Sequence, residues 1–541
     1  LAVLPHTIDQ LVGLTKLDLN ENLLPQAPQE IATIQDELTF YAQCAKRGMV
    51  FSRCARLIVV GEALSGKSSL VQALKATNTK PAKVLPPHLV GAQPDAQTVA
   101  IEIHPAALTF CSGEESIEVS AWDVGGEKAY ECALQPFLAG SGGALYVLAV
   151  RVTNADDGHY HASVGRWLDM MQMNAPGAAL LLTLTHCDRL GPPVAPILVE
   201  TAEAQRAWLV ERVRAHAAAL VAASADSMPL RLVCNDAGEP LIPCVALGAD
   251  DSIRGCRAAI ERAMLHQPPM LASVGCSVPK PWQATMAALS ALGAGIKPLE
   301  AAMHALEHDR RRRPSVILPP MPYMRLSEAR AVWRDSVAPY MTPEPSASTF
   351  DDALQLLVHE GKLICSGGLV HYDATHVLRI ALPLLDHRLN RAFVLPSVLK
   401  HLTDGSRMLD HTRAAALGGK VKNEGLRIID GVLKIASGEV REEILPIIWS
   451  THALGAWTPV GTDAVSRYEE MLRTLVDAGI LCLADVTVHG RRWVLPSHLP
   501  MVPPPALPSW WESAATHGKD QLVEMGYTLG RFAPPGLVER L

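Results

Sequence analysis

The chain has 541 residues, 49% of them hydrophobic and 19% charged, which supplies ample material for buried cores. At about 150 residues per domain this length predicts three or four domains. A formal net charge of −7 and a pI near 6.3 give no support for a nucleic-acid partner.

No apolar run reaches the about 18 residues a membrane helix needs, so no transmembrane segment is expected. The cysteines stand singly, with no C-x-x-C pair, which argues against a zinc site or a disulfide framework and fits a reducing, cytoplasmic setting. Peripheral contact with membranes is left open.

Residues 1–31 carry a repeat, from Leu4-Pro5-x-x-Ile8 through Leu17-x-Leu19-x-x-Asn22-x-Leu24 to Ala27-Pro28-x-x-Ile31. Leu4 to Ala27 and Ile8 to Ile31 share an offset of 23 residues, inside the leucine-rich-repeat range. A single amphipathic helix is the rival, but L-x-L-x-x-N is a poor helical pattern. The expectation is the end of a larger array in a longer parent chain, because one repeat cannot bury a core alone. Residues 32–54 read as a capping and linking helix, centred on Glu30–Lys46.

The stretch Val59–Leu70 organises the next part of the chain. An apolar run ends in Gly61-x4-Gly66-Lys67-Ser68 and passes into a helical pattern over Lys67–Ala76, the strand, loop and helix of a P-loop. Gly61 and Gly66 permit the positive φ and close approach that a phosphate cradle needs. The helix start aims N–H groups and dipole at the anion. Lys67 is expected to reach the phosphates and Ser68 to ligate magnesium, with Ser65 and Ser69 in the same cofactor-binding set.

Alternating strands and helices then predict a mostly parallel sheet covered on both faces. The expected strands are Leu57–Val60, Val99–His104, Ser116–Val124, Gly143–Arg151, Ala178–Leu184 and Ile242–Leu247. The expected helices are Ala162–Met173, a strongly amphipathic Thr201–Ala223, and Ile253–Leu265. Ligands in such sheets lie at the carboxyl ends of the strands, and the remaining candidates fall there. Asp123-Val-Gly-Gly126 can hold magnesium through Asp123 and meet a γ-phosphate with the Gly126 N–H. Thr98, between the two phosphate motifs, can complete the magnesium shell. Thr185-His186-Cys187-Asp188 puts a carboxylate where it can accept from the two N–H donors on one edge of guanine.

In this order the motifs resemble a small GTPase domain in which T-H-x-D replaces the usual N-K-x-D, and with the upstream repeat they resemble the Roc domain of the Roco family. The resemblance implies an α/β, P-loop Roc domain over 55–268 and an α+β COR domain over 269–541, truncated at its C-terminal end. Segments similar to COR are Val278-Pro-Lys-Pro-Trp282, Phe350–Gly361, Ile447-Ile-Trp449, Tyr468–Gly479, Trp493–Pro500 and Phe532–Leu537. Two helix–glycine–hairpin units, Asp351–Tyr372 and Tyr468–Leu495, look like winged helices. Acidity and the lack of a basic recognition helix favour protein packing over nucleic acid, and Arg310–Arg313 reads as a solvated linker.

The family pattern carries over Gly61, Gly66, Lys67 and Ser68 to phosphate and magnesium, Thr98 to switch I, Asp123 and Gly126 to switch II, and Asp188 to guanine. Thr185 and His186 join the base side, and Ala246 of Cys244-Val-Ala-Leu247 supplies a backbone contact to the guanine oxygen, although the segment departs from S-A-K. The implied ligands are GTP or GDP with Mg2+, and the implied partners a second copy through COR and proteins through the repeats. Small GTPases place a glutamine after D-x-x-G, whereas this chain has Glu127. With Glu127 and Thr98 as the catalytic pair, slow hydrolysis regulating an effector such as a Ser/Thr kinase is the expectation. The alternatives are a non-hydrolysing, nucleotide-bound scaffold and an ATP-driven assembly protein.

Overall fold

The computed structural model describes most of residues 34–77, 101–126, 144–187, 197–246, 250–307, 323–384 and 438–495, with a few positions elsewhere. The chain forms two compact units, residues 1–127 with 134–378, and residues 128–133 with 379–541.

The first unit is built on a six-stranded sheet. After a short β1 (Met49–Phe51), its strands are β2 (Cys54–Val60), β3 (Ile101–Ser112), β4 (Glu115–Val124), β5 (Ala144–Arg151), β6 (Ala179–Thr185) and β7 (Arg231–Leu232), in the spatial order β3-β4-β2-β5-β6-β7. All neighbours are parallel except β3 against β4. Central strands of this kind are buried on both faces, and every residue of β6 is buried, as is all of β5 but Arg151. Leu57 and Val59 of β2 meet Leu70, Val71 and Leu74 of the helix Lys67–Ala76 and Ile260 of the helix Asp250–Leu265 in one core. Each such side chain contributes about 1.5–3 kcal/mol on burial.

Three expected elements differ. β3 runs past His104 to Ser112, and its register against β4 shifts between His104 and Leu108, where Pro105 lacks the N–H a regular ladder needs. The apolar segment Ile242–Leu247 forms only a single parallel bridge, Leu184 to Cys244, and β7 takes the sheet edge. Pro243 within that segment again removes a donor. The helix expected over Ala162–Met173 begins as a π-helical turn, His161–Gly165, before the α-helix Arg166–Asn174.

The same unit contains a second layer. The helix Ile34–Arg47 packs Phe40, Tyr41 and Cys44 against Val278, Trp282, Ala353 and Leu356, with Ile8 and Leu19 partly buried on the same cluster. β1 pairs antiparallel with β8 (Ser277–Pro279). The linking helix is thus anchored to the region that follows the large sheet. There the helices Lys280–Gly293, Leu326–Ser336 and Thr349–His359 enclose a further core around Leu289, Phe350 and Leu357, over a small sheet of β9 (Tyr323–Arg325), β10 (Ile364–Ser366) and β11 (Leu369–His371). Trp333 donates its indole N–H to Thr285 Oγ1 at 3.1 Å inside this core.

The second unit holds β12 (Glu439–Arg441), the helix Ala464–Asp477, β13 (Cys482–Thr487) and β14 (Gly490–Val494), in the sheet order β12-β14-β13. Both expected helix–glycine–hairpin units are present. Each helix closes on a glycine with positive φ, Gly361 at +70° and Gly479 at +68°, followed by an N–H bonded back five residues, Lys362 to Leu357 O and Ile480 to Leu475 O. This is the Schellman closure, which favours glycine because the left-handed conformation crowds a Cβ. Most of residues 1–31, Arg310–Arg313 and everything beyond residue 495 lie outside the described residues; within the repeat, Ile8–Gln10 form a short 3-10 turn.

Candidate functional site

β2 ends at Val60, and the chain turns at Gly61 with φ +144°. A Cβ on Gly61 would stand 2.4 Å from Ala149 O on β5, so the loop leaves the sheet where no side chain fits. Gly66, at φ +83°, is the N-cap of the helix Lys67–Ala76, and no side chain caps that helix. Its first turn therefore directs backbone amides and the positive end of its dipole into the loop. Leu64 takes a left-handed φ of +62° and is 53% exposed. The bulk expected at this position thus points to solvent.

Lys67 is 5% exposed, and its ammonium donates to Gly61 O at 3.0 Å and Glu62 O at 2.7 Å, arching over the loop. Ser68 and Ser69 are half-buried at the helix start. The Ser65 hydroxyl is buried, and no hydrogen-bond partner for it occurs among the described residues. A ring of glycine, amides, one cation and an unengaged hydroxyl fits a polyphosphate. Asp123, fully buried near the end of β4 and in register with Val59, brings a carboxylate to the same side, a donor set suited to a hard divalent cation.

The loop is held from three directions. A Cβ on Gly126 would lie 2.3 Å from Ala63 N and 2.4 Å from Glu62 C, so the backbone of the D-x-x-G segment rests directly on the P-loop. The Thr185 hydroxyl, at the end of β6, donates to Ser65 O at 2.6 Å, with Val150 O at 3.2 Å as a weaker second acceptor. His186, at φ +58°, brings its imidazole Nε2 to 3.1 Å from Leu64 O. Thr185 and His186, singled out for the base side, are therefore supports of the phosphate loop here. Sequence carried no sign of these contacts, since each spans more than a hundred residues of chain.

Cys187 donates its N–H to Val245 O at 3.2 Å, which brings the T-H-C-D segment beside Cys244-Val245-Ala246. The Ala246 N–H is engaged by Ser252 Oγ at 3.0 Å. A guanine contact through that amide requires this bond to be exchanged. Thr98, Glu127 and Asp188 lie outside the described residues.

A P-loop at the carboxyl edge of a parallel sheet, seated on a D-x-x-G turn, makes a phosphate-binding site. Residues 56–188 match the family model Roc, described as Ras of Complex, Roc, domain of DAPkinase. Over these residues the chain is similar to the Roc family.

A human protein, malignant fibrous histiocytoma-amplified sequence 1, is 29% identical over 195 residues, covering 33% of this chain. The match spans only 17% of that protein's length. Among solved structures, Methanosarcina barkeri Roco2 RocCORdC bound to GDP aligns with 84% of this chain and 98% of its own, at 13% identity and a TM-score of 0.45. Among the described residues, no helix is long and apolar enough to cross a membrane.

Proposed function

We propose that this chain is the guanine-nucleotide-binding regulatory module of a longer Roco protein, binding Mg-GTP and hydrolysing it slowly. The observation that carries the reading is the seating of the P-loop on Gly126, because this brings the two expected phosphate-contacting segments into backbone contact. The Roc match over the same residues supports it.

In this mechanism Lys67 leaves the carbonyls of Gly61 and Glu62 for the phosphates, and the first-turn amides of Lys67–Ala76 hold the phosphate oxygens. Ser68, Asp123 and Thr98 would hold magnesium, which would neutralise charge developing on the leaving phosphate. Asp188 reads guanine, and Thr185 and His186, just before it in sequence, support the phosphate loop. Glu127 stands where a water-orienting glutamine is usual, and its charge faces an anionic group, which makes turnover slow. Contacts of the γ-phosphate with Thr98 and Gly126 order their segments and are released on hydrolysis.

The domains are an end of a leucine-rich-repeat array (1–31), a linking helix (32–54), Roc (55–268) and COR (269–541). COR pairs two copies, the repeats bind proteins, and an effector such as a Ser/Thr kinase follows in the parent, in the cytoplasm. Glu127 also favours a second reading, a scaffold that binds nucleotide without turnover.

Titration of the purified chain with labelled GTP and ATP, followed by single-turnover phosphate release, separates these readings. Preference for GTP, lost in Asp188→Asn, together with slow release abolished in Lys67→Ala and altered in Glu127→Gln, is expected. Tighter ATP binding sinks the guanine assignment, and binding without release selects the scaffold.

A further inference from the structure

Several groups among the described residues have no task in nucleotide chemistry. They include the stacked imidazoles of His371 and His376, the Asp169–His216 pair at 2.8 Å, and two thiols at the edge of the large sheet. The thiols carry the furthest inference. We propose that Cys187 and Cys244 are a redox pair that closes into a reversible disulfide between the end of β6 and the Pro243–Ala246 segment.

The backbone already brings them together. Leu184 and Cys244 form a parallel bridge, with Leu184 N–H donating to Pro243 O at 2.9 Å, Val245 N–H to Leu184 O at 2.7 Å and Cys187 N–H to Val245 O at 3.2 Å. Leu184 faces Cys244 in that bridge, and the Cys187 N–H reaches the carbonyl of the residue after Cys244, which sets the two cysteines on facing segments of one edge; a disulfide between them needs Cα atoms about 4.4–6.8 Å apart. The Cys187 thiol donates to Leu184 O at 3.7 Å and the Cys244 thiol to Ile242 O at 4.0 Å, so both sit among the backbone carbonyls of this edge, and both residues are half-buried.

Their chemistry differs from that of the other thiols. The hydrogen bond from Cys187 and the nearby Arg206 guanidinium outweigh burial and pull the Cys244 thiol down to about 7. Cys256, by contrast, is fully buried, and burial pushes its thiol up to about 12. Arg206 also lines an open cleft of about 520 Å³ with Arg214, Glu239 and Pro240, where an anionic oxidant such as glutathione disulfide can approach. Thiolates, not thiols, are the attacking species.

The step balances with glutathione disulfide as oxidant. The Cys244 thiolate attacks one glutathione sulfur and expels the first glutathione thiolate. Cys187 loses its proton to solvent, attacks the Cys244 sulfur and expels the second. Two protein thiols are oxidised, and one glutathione disulfide is reduced to two thiols.

Closure to an S–S bond of about 2.05 Å draws the two segments together. It thereby moves His186, which supports Leu64, and Ala246. An effect on nucleotide release follows, and that consequence rests on the guanine reading above, whereas the disulfide itself does not.

The test incubates the full chain, without nucleotide, in graded glutathione disulfide, blocks free thiols with N-ethylmaleimide, and maps peptides by mass spectrometry. A Cys187–Cys244 cross-link reversed by dithiothreitol is expected in the wild type, with Cys256 unmodified, and a lasting glutathione adduct on Cys244 in Cys187→Ser. A stable Cys244 adduct in the wild type at the occupancy of the variant, without the cross-link, overturns the pair. Should the variant fail to fold, the wild type alone decides: iodoacetamide at pH 7 is expected to label Cys244 at least about tenfold faster than Cys256, and equal rates overturn the proposal. A cross-link that forms while labelled GDP leaves at an unchanged rate upholds the pair and counts against guanine recognition at this edge.

Discussion

Replacing Thr185 by valine isolates what supports the phosphate loop. The Thr185 hydroxyl is 4% exposed, and its 2.6 Å bond to Ser65 O joins the end of β6 to the middle of the P-loop across 120 residues. Valine keeps the shape and removes the donor, leaving a buried carbonyl without its partner, at a cost of about 1–3 kcal/mol. If that cost falls on the fold, the melting temperature drops by about 2–4 °C per kcal/mol for a domain of this size. If it falls on ordering the loop when phosphate binds, affinity drops by about 5- to 150-fold. The assay is a fluorescent GDP titration alongside thermal unfolding, with Thr185→Ser, which retains the hydroxyl, restoring most of both. A Thr185→Val chain that matches the wild type in melting temperature and in affinity refutes the claim that this bond holds the loop.

Leu64→Gly removes an exposed side chain from a left-handed position, so a gain of up to about 1 kcal/mol in urea unfolding, with unchanged nucleotide affinity, is expected. A loss of stability would show that Leu64 packs against something it does not touch here. Gly361→Ala places a Cβ 2.9 Å from Trp122 Cζ2 and 3.0 Å from Arg56 Cδ at a φ of +70°, so a loss of about 1–3 kcal/mol is expected in thermal unfolding. A wild-type melting curve would mean that the turn is not confined. Burial and then the neighbouring His376 hold His371 down at about 3, against an ordinary 6.5. The folded state therefore resists a proton that the unfolded chain accepts: stability is full above pH 6.5 and falls by about 1.4 kcal/mol per pH unit below it. Unfolding free energies from urea titrations at pH 7.5 and 5 should differ by about 2 kcal/mol more in the wild type than in His371→Phe, and equal differences would remove His371 as the cause.

What was legible in the sequence is what the chain encodes over short distances. The helix Lys67–Ala76 has the bounds expected from Gly66-Lys67-Ser68 and the spacing of Leu70, Val71 and Leu74, because the loop glycines and the apolar stripe are local signals. The strands β5 and β6 were legible for the same reason, as uninterrupted apolar runs. Ile242–Leu247 misled because its apolar content resembles theirs while Pro243 removes a ladder donor. The pairing of β1 with β8 joins two strands of three residues across more than two hundred positions, too short to mark themselves by alternation. Within the site, glycines announced where the backbone bends but not what it touches. That Gly126 lies against Ala63, and that Thr185 supports Ser65, are properties of the closed sheet.

The same sheet relates the phosphate side to the hairpin after Thr349–His359 through adjacent residues of one strand. Successive side chains of β4 point to opposite faces, so Asp123 and Trp122 cannot share one. Trp122 is buried with the Arg56 guanidinium 4.9 Å from its ring centroid, and Gly361 closes on both with no room for a methyl group. Burial lowers the Arg56 pKa, and beside it Glu360 pairs with Lys362 at 2.8 Å. Close packing leaves such a contact two options when Asp123 and Gly126 shift toward a ligand: Trp122 carries the displacement into the turn, or the turn resists it and lowers affinity for that ligand. Both outcomes are one coupling free energy seen from either end. A double-mutant cycle between Gly361→Ala and Thr185→Val, read in nucleotide affinity, measures it, since the two residues do not touch and independent effects would add.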